Sequence, residues 1–428
     1  MDLGEDNLRN TLVDRAAASC TDDLKRIQGL NTTEVAGLVM AQKVLVRGGI
    51  ASETEIKGWG IDKQRNSLVS SNQRYTGLPA STLQSESTFD NAMRAYSTWL
   101  YQVEALPLLS AFSNIGAAET SSFSTKALLP ETNRTVGVDC ISIIERTKAK
   151  GYLGVFHTAD TTQEDVFDLY VATSDDLKTW EAANTPLIKR ASMAKLYGGA
   201  DLPFSGILLL YEANVEGKGP SVAGAWFATE DDLLEGKISQ QFLTSRTLSG
   251  NAEGTPNLIR ATTMDAKSSD TSPQNCVLTI GMHYFDKRES GEMIDQQAYA
   301  VIKGFDSAQW RAAPCSISNA YLPKQGYLGK LGARSSFMYN GRLFYVMEVQ
   351  KELDNWSSWR LLLGDGVGFT ELSVRTPSLS SSFANPSVAA LSANEIGSNE
   401  RSFIVTSFVP SEGSWGNEEG ELVYRVEV

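Results

Sequence analysis

Gly151-Tyr-Leu-Gly-Val-Phe-His157 and, after it, Asp168-Leu-Tyr-Val-Ala-Thr-Ser-Asp-Asp-Leu-Lys-Thr-Trp180 decide the reading of this chain, because their ending recurs. In Gly224-Ala-Trp-Phe-Ala-Thr-Glu-Asp-Asp-Leu233 the pattern Ala-Thr-x-Asp-Asp-Leu returns residue for residue. A self-match at a period of about fifty residues, built of short β-rich runs without helical patterning, fits a four-stranded propeller blade rather than a helical repeat. The Asp-Asp-Leu turns themselves read as structural, with aspartate capping backbone amides in the hairpins. Trp180 and Trp310, at strand ends, read the same way.

Each blade should open near a polar residue and pass through a turn into an apolar strand. Asp139 precedes Gly151 to His157, Asp201 precedes Ile207 to Tyr211, and Glu253 precedes Cys276 to Met282. Arg334 precedes Gly341 to Met347, and Asn385 precedes Ser402 to Phe408. That makes five units over residues 136–428, and the final run, Gly420 to Val428, is a strand able to complete a blade and close the ring. The fold class expected is mainly β, a five-bladed β-propeller preceded by an N-terminal α-helical region.

That region spans residues 1–112. Leu8, Leu12, Val13, Ala16 and Ala17 share one helical face, and Thr33 can cap a second helix ending before Gly48-Gly49. Over Thr88 to Leu106, Phe89, Met93, Tyr96, Leu100, Val103 and Leu106 recur at three- and four-residue steps, a packing stripe. Pro107 is expected to stop or kink that helix. Residues 113–135, rich in Ser, Thr and Ala, read as a linker.

The chain has 428 residues and a formal net charge of −13. A nucleic-acid binder needs a basic face that displaces counterions, so no nucleic-acid partner is expected. No apolar run approaches the roughly eighteen residues of a membrane span. Cys20, Cys140, Cys276 and Cys315 show no zinc or redox spacing, so no metal or cofactor is expected, while one, two or no disulfides remain open. Sequons stand at Asn31, Asn133 and Asn355. Met1-Asp-Leu-Gly-Glu-Asp lacks the charged and apolar regions of a signal peptide. The expectation is a secreted glycoprotein whose signal has been removed.

In a propeller the innermost strands run along the central channel, so residues opening them converge on one pocket. Asp139, Asp201 and Glu253 would thus share a funnel, where crowded carboxylates raise one another's pKa and keep an acid protonated beside an ionised base. Glycoside hydrolysis uses such a pair.

The series Asp139, Tyr170 to Trp180, Asp201 and Glu253-Gly-Thr-Pro256 resembles the arabinanase, β-xylosidase and invertase superfamily of five-bladed propeller glycosidases. The resemblance covers residues 136 to about 410. It implies Asp139 as general base, Asp201 as the residue tuning its partner's pKa, and Glu253 as general acid. Departures stand beside the match: Cys140 follows Asp139 where proline is usual, Leu202 separates Asp201 from Pro203, and Thr255 interrupts the Glu-Gly-Pro run. Arg334 stands where some members place a histidine near an axial metal.

His157 and His283 end the second strands of the first and third blades, places suited to proton transfer or hydrogen bonding. Arg334 suits an anionic or carbonyl oxygen, or else an ion pair with Glu348. Tyr211, Glu348 and Phe408 complete the candidate substrate contacts, the ligand being a small molecule or an oligosaccharide. Three functions follow. The first is a glycoside hydrolase-like enzyme acting on a pentose- or fructose-containing glycan. The second is a fungal secondary-metabolite enzyme that keeps the pocket for non-hydrolytic chemistry, such as a hetero-Diels-Alderase of tropolonic sesquiterpene biosynthesis; the departures and the added N-terminal region favour it. The third is a non-catalytic carbohydrate-binding propeller, which should repeat exposed aromatic platforms in every blade.

Overall fold

The computed structural model describes residues 105–113, 121–122, 125–159, 166–217, 219–265, 272–288, 291–339, 342–365, 369–391 and 402–428. Contacts divide the chain into two units, and the strands belong almost wholly to the one formed by Pro107–Gly364 and Thr370–Val428. The helices expected within residues 1–104, Cys20 and the Asn31 sequon lie outside the described residues. Helical backbone at 105–113 continues past Pro107 rather than stopping there.

Three short strands occupy the stretch read as a linker: β1 (Ser121–Ser122), β2 (Lys126–Leu129) and β3 (Arg134–Gly137). The first blade is β4 (Asp139–Glu145), β5 (Tyr152–Ala159), β6 (Phe167–Ser174) and β7 (Trp180–Ala182), extended outward by β2 and β3. The second is β8 (Ala191–Gly198), β9 (Ile207–Val215), β10 (Gly219–Phe227) and β11 (Gln240–Leu243). The third is β12 (Ala252–Thr263), β13 (Cys276–Lys287), β14 (Met293–Lys303) and β15 (Asp306–Pro314). The fourth is β16 (Leu331–Tyr339), β17 (Arg342–Gln350), β18 (Trp359–Gly364) and β19 (Phe369–Glu371). In the fifth, β20 (Ala384–Ala390), β21 (Ser402–Val409) and β22 (Gly420–Glu427) take β1 as their outer strand. Pairing of Ser121 with Tyr424 and Ser122 with Val423 closes the ring by hydrogen bonds.

The five apolar runs read from the sequence are the second strands, and four of the five openings fall in the first residues of an inner strand. The second blade differs. Its inner strand is Ala191-Ser-Met-Ala-Lys-Leu-Tyr-Gly198, whose Ser and Lys hide it from an apolar-run search. Asp201 ends a 3-10 turn, Gly199–Asp201, that follows this strand and leads into β9.

The two copies of the repeat occupy the same place, between third and outer strands, and fold differently. In the first, Asp176 Oδ1 accepts from the N–H groups of Lys178 and Thr179, both at 2.8 Å, and the Ser174 hydroxyl accepts from Leu177 N–H at 2.9 Å. The Thr179 amide first, with the Lys178 amide and the Thr179 and Ser174 hydroxyls, holds the Asp176 carboxyl down at about 2 against desolvation. In the second copy Thr229 caps a helical turn, Glu230–Leu234, and buried Glu230 accepts from Arg146 Nε of the first blade at 2.7 Å.

Alternating apolar residues stack successive blades face to face. Leu153, Val155, Leu196, Leu209 and Phe227 fill the seam between the first two blades. Phe112 joins Phe337 and Phe403 in an aromatic cluster at the fourth and fifth, and its carbonyl accepts from the Tyr424 hydroxyl at 3.0 Å. Cys140, Cys276 and Cys315 are buried free thiols. Asn133 is exposed in the β2–β3 hairpin, whereas the Asn355 amide donates to Glu352 at 2.8 Å. Among the described residues no helix is long and apolar enough to cross a membrane.

Candidate functional site

Every inner strand carries one extra residue at the same place. The register steps from Asp139↔His157 to Ser142↔Val155, from Ser192↔Glu212 to Lys195↔Leu210, and from Gly254↔His283 to Asn257↔Gly281. It steps likewise from Leu331↔Val349 to Arg334↔Met347 and from Ala384↔Phe408 to Ser387↔Thr406. These are β-bulges, which bend a strand and leave a residue out of the ladder. The residue after the first member adopts a left-handed backbone in four blades: Cys140 at φ 54°, Met193 at 51°, Thr255 at 43° and Asn385 at 50°. Because every bulge opens an inner strand, all five lie at one axial end.

A bulge amide needs an acceptor from elsewhere; in four blades a neighbouring blade supplies it, and in the fourth the blade's own second strand does. His157 Nδ1 accepts from Met193 N–H at 3.3 Å, Glu212 Oε2 from Thr255 N–H at 3.0 Å, and Glu421 Oε2 from Cys140 N–H at 2.9 Å. Glu348 accepts from Ala333 N–H at 2.7 Å and, through its other oxygen, from Asn385 N–H. In the third-to-fourth seam the Gln297 amide instead donates to the carbonyls of Leu331 and Gly332, at 2.7 and 2.6 Å.

Burial sets the charge states. It raises the carboxyls of Asp139, Glu212 and Glu348, and pushes Glu421 up to about 8. Burial and then the charge of Lys195 bring His157 down to about 4. His157 is therefore a neutral imidazole whose Nδ1 accepts, so its proton sits on Nε2. At the mouth, His283 Nδ1 lies 2.7 Å from the Thr255 hydroxyl and its Nε2 lies 3.9 Å from Asp295 Oδ1. His283 and Asp295 keep side-chain exposures of 16% and 19%, so the imidazole–carboxylate end of this series is partly exposed while Thr255 is buried.

The candidate residues divide. Asp139, half-buried, opens β4 at the axial end with the bulges. His157 and His283 share one register position, as expected from their spacing, with His157 buried and His283 partly open. Phe408 holds that same position in the fifth blade and is half-buried. Glu348 is buried, with both oxygens taken by amides.

The others face elsewhere. Asp201 is exposed beyond the far end of β8, and the six steps from Ser192 to Gly198 span roughly 20 Å at strand rise. Glu253 is fully buried: its Oε1 accepts from three successive amides, Thr247, Leu248 and Ser249, so its carboxylate seats the loop entering β12. Arg334 donates to the Ala298 carbonyl at 2.9 Å and lies over the Tyr299 ring, in the seam between third and fourth blades, instead of pairing with Glu348. Tyr211 packs into the core between the first and second blades.

Four residues at this end escaped the sequence reading: Glu212, Asp295, Glu421 and Lys195. Glu212 carried a usable signal, since it lies one residue after Tyr211 at the register place His157 and His283 occupy. Glu421 and Asp295 sit on third strands, where nothing local distinguishes them.

No protein-family model and no curated protein matches the chain. Solved structures do. An exo-1,5-α-L-arabinanase from a bovine ruminal metagenomic library is 12% identical over 68% of this chain and 92% of its own, with a TM-score of 0.42. A thermostable family-43 glycoside hydrolase is 10% identical over 68% and 89%, also at 0.42. An N-acetylgalactosamine deacetylase from F. plautii, in complex with blood group B trisaccharide, is 9% identical over 74% and 94%, at 0.43. The fold itself, a five-bladed propeller, is established by the five sheets. At such identity the likeness carries no activity across.

Proposed function

We propose that the axial pocket binds a small, largely apolar molecule and orients it for non-hydrolytic bond formation, hetero-Diels–Alder cyclisation in secondary metabolism being the case to test. The observation that carries this reading is the Glu253 carboxylate, immersed in the amides of Thr247 to Ser249 where a general acid should face substrate. With Asp201 at the opposite end, one of three expected carboxylates is left at the mouth. Orientation and hydrogen-bond polarisation suffice for a pericyclic step. His283 would donate to or accept from the reacting oxygen, Asp139, whose carboxyl is raised by burial, would stand beside it, and Phe408 and Met193 would offer apolar surface.

A second reading keeps glycoside hydrolysis of a pentose- or fructose-containing glycan. It is favoured by Glu212, half-buried with its carboxyl raised, which could serve as acid opposite Asp139. In either case a secreted glycoprotein would carry its glycan at exposed Asn133.

The test runs both chemistries on one preparation. An ortho-quinone methide generated in situ with an alkene is followed by the enantiomeric excess of the dihydropyran; aryl glycosides, arabinan, xylan and fructan are followed by sugar release. Enantioselective product that turns racemic in His283→Ala supports the first reading. Sugar release lost in Asp139→Asn and Glu212→Gln overturns it in favour of the second.

A further inference from the structure

Lys195 is a buried cation that the proposed chemistry has not yet used. It follows the bulge of β8 in the second blade, yet its Nζ donates to the carbonyl of Pro386, in the bulge of the fifth blade, at 2.7 Å. Second and fifth blades are not neighbours in a five-membered ring, so the side chain crosses the axis. Pro386 belongs to the bulge layer, so the side chain climbs from its own position towards the mouth. Its hydrogen-bond acceptor there is a neutral carbonyl, and Cys140, Glu421 and Glu348 act on it only through space.

We propose that Lys195 is a carbonyl-binding residue of the axial pocket, whose amine condenses reversibly with an aldehyde or ketone of the substrate. This rests on the small-molecule reading above and names its substrate class. In the step, Nζ adds to the carbonyl carbon, the C–O bond breaks, and the oxygen leaves as water carrying two protons from the ammonium nitrogen. A protonated imine remains, and water reverses the reaction. An iminium withdraws electrons from a conjugated alkene more strongly than the carbonyl it replaces, which activates it for cycloaddition. The surroundings suit the chemistry. Burial pulls the ammonium down to about 8, against Cys140, Glu421 and Glu348, which favour its charge, so a share of neutral amine is present near neutral pH. His157, on which the Lys195 charge acts, is neutral in that range.

The experiment treats the unmodified protein with salicylaldehyde and cyanoborohydride near neutral pH, followed by peptide mapping. The result expected is a reduced adduct on Lys195 forming about tenfold faster than on the exposed Lys148 and Lys237. Labelling of Lys195 no faster than those two overturns the proposal. Trapping requires no turnover, so the two ideas fail separately: absent cycloaddition with Lys195 labelled sinks the pericyclic reading alone, and selective product with Lys195 unlabelled sinks the lysine alone.

Discussion

The N–H of Cys140, in the first blade, donates to Oε2 of Glu421, in the last, at 2.9 Å, joining two residues 281 positions apart. The bond closes the ring at its axial end, as β1 closes it at the rim. Glu421→Ala should leave a buried amide unpaired and lower unfolding free energy by about 1–3 kcal/mol in urea titration.

The same residue gives a pH dependence of definite sign. Its folded carboxyl titrates at about 8 against an ordinary 4.5, so between these values the folded state holds a proton that the unfolded state has lost. Stability from this group is full below the lower value and declines as pH rises through the window. Glu421→Gln should flatten that decline in unfolding measured across pH.

His157 acts oppositely. Its folded value of about 4 lies below the ordinary 6.5, so its contribution is full above 6.5 and is lost as pH falls towards 4. His157→Asn, which keeps an acceptor for Met193 N–H, should remove this acid sensitivity; an unchanged acid midpoint would show that imidazole burial is not its source.

Glu253→Gln should behave as a stability variant. One amide oxygen still reaches Thr247, Leu248 and Ser249, but the charge that strengthens those bonds is gone, at a cost of about 1–2 kcal/mol. Thermal unfolding should shift while turnover per folded molecule holds.

Gly254 sits where a Cβ would fall 1.8 Å from Glu212 Oε2. Gly254→Ala must displace that carboxylate and free Thr255 N–H, lowering stability by about 1–3 kcal/mol. Adding Glu212→Ala relieves the clash, so the double variant should be more stable than additivity allows, as a double-mutant cycle in urea would read.

The blade period was legible because the Ala-Thr-x-Asp-Asp-Leu turn is local chemistry, amide capping by short polar side chains: Asp176 in the first copy and Thr229 in the second. The second strands were legible because burial on both faces leaves them continuously apolar. Inner strands are harder: β8 carries Ser192 and Lys195 and so lacks an apolar signature, which shifted the second opening to Asp201. Glu253 failed for a different reason. Neighbouring strand residues face opposite sides, and here Gly254, not Glu253, is the register equivalent of Asp139. A motif places a carboxylate within one residue; only the bulge register decides which way it faces. The acceptors Glu421 and Asp295 come from third strands far along the chain, and their partners are set by ring closure.

Under the proposed function the chemistry belongs to the bulged axial end, with Asp139 and His283, and not to Asp201 or Glu253. The most direct measurement is turnover per folded molecule of Asp139→Asn, His283→Ala, Asp201→Asn and Glu253→Gln on whichever substrate the unmodified protein accepts. Losses of about a hundredfold or more are expected in the first two and changes within about twofold in the last two. Full activity in Asp139→Asn and His283→Ala, with loss in Asp201→Asn or Glu253→Gln, would contradict that reading.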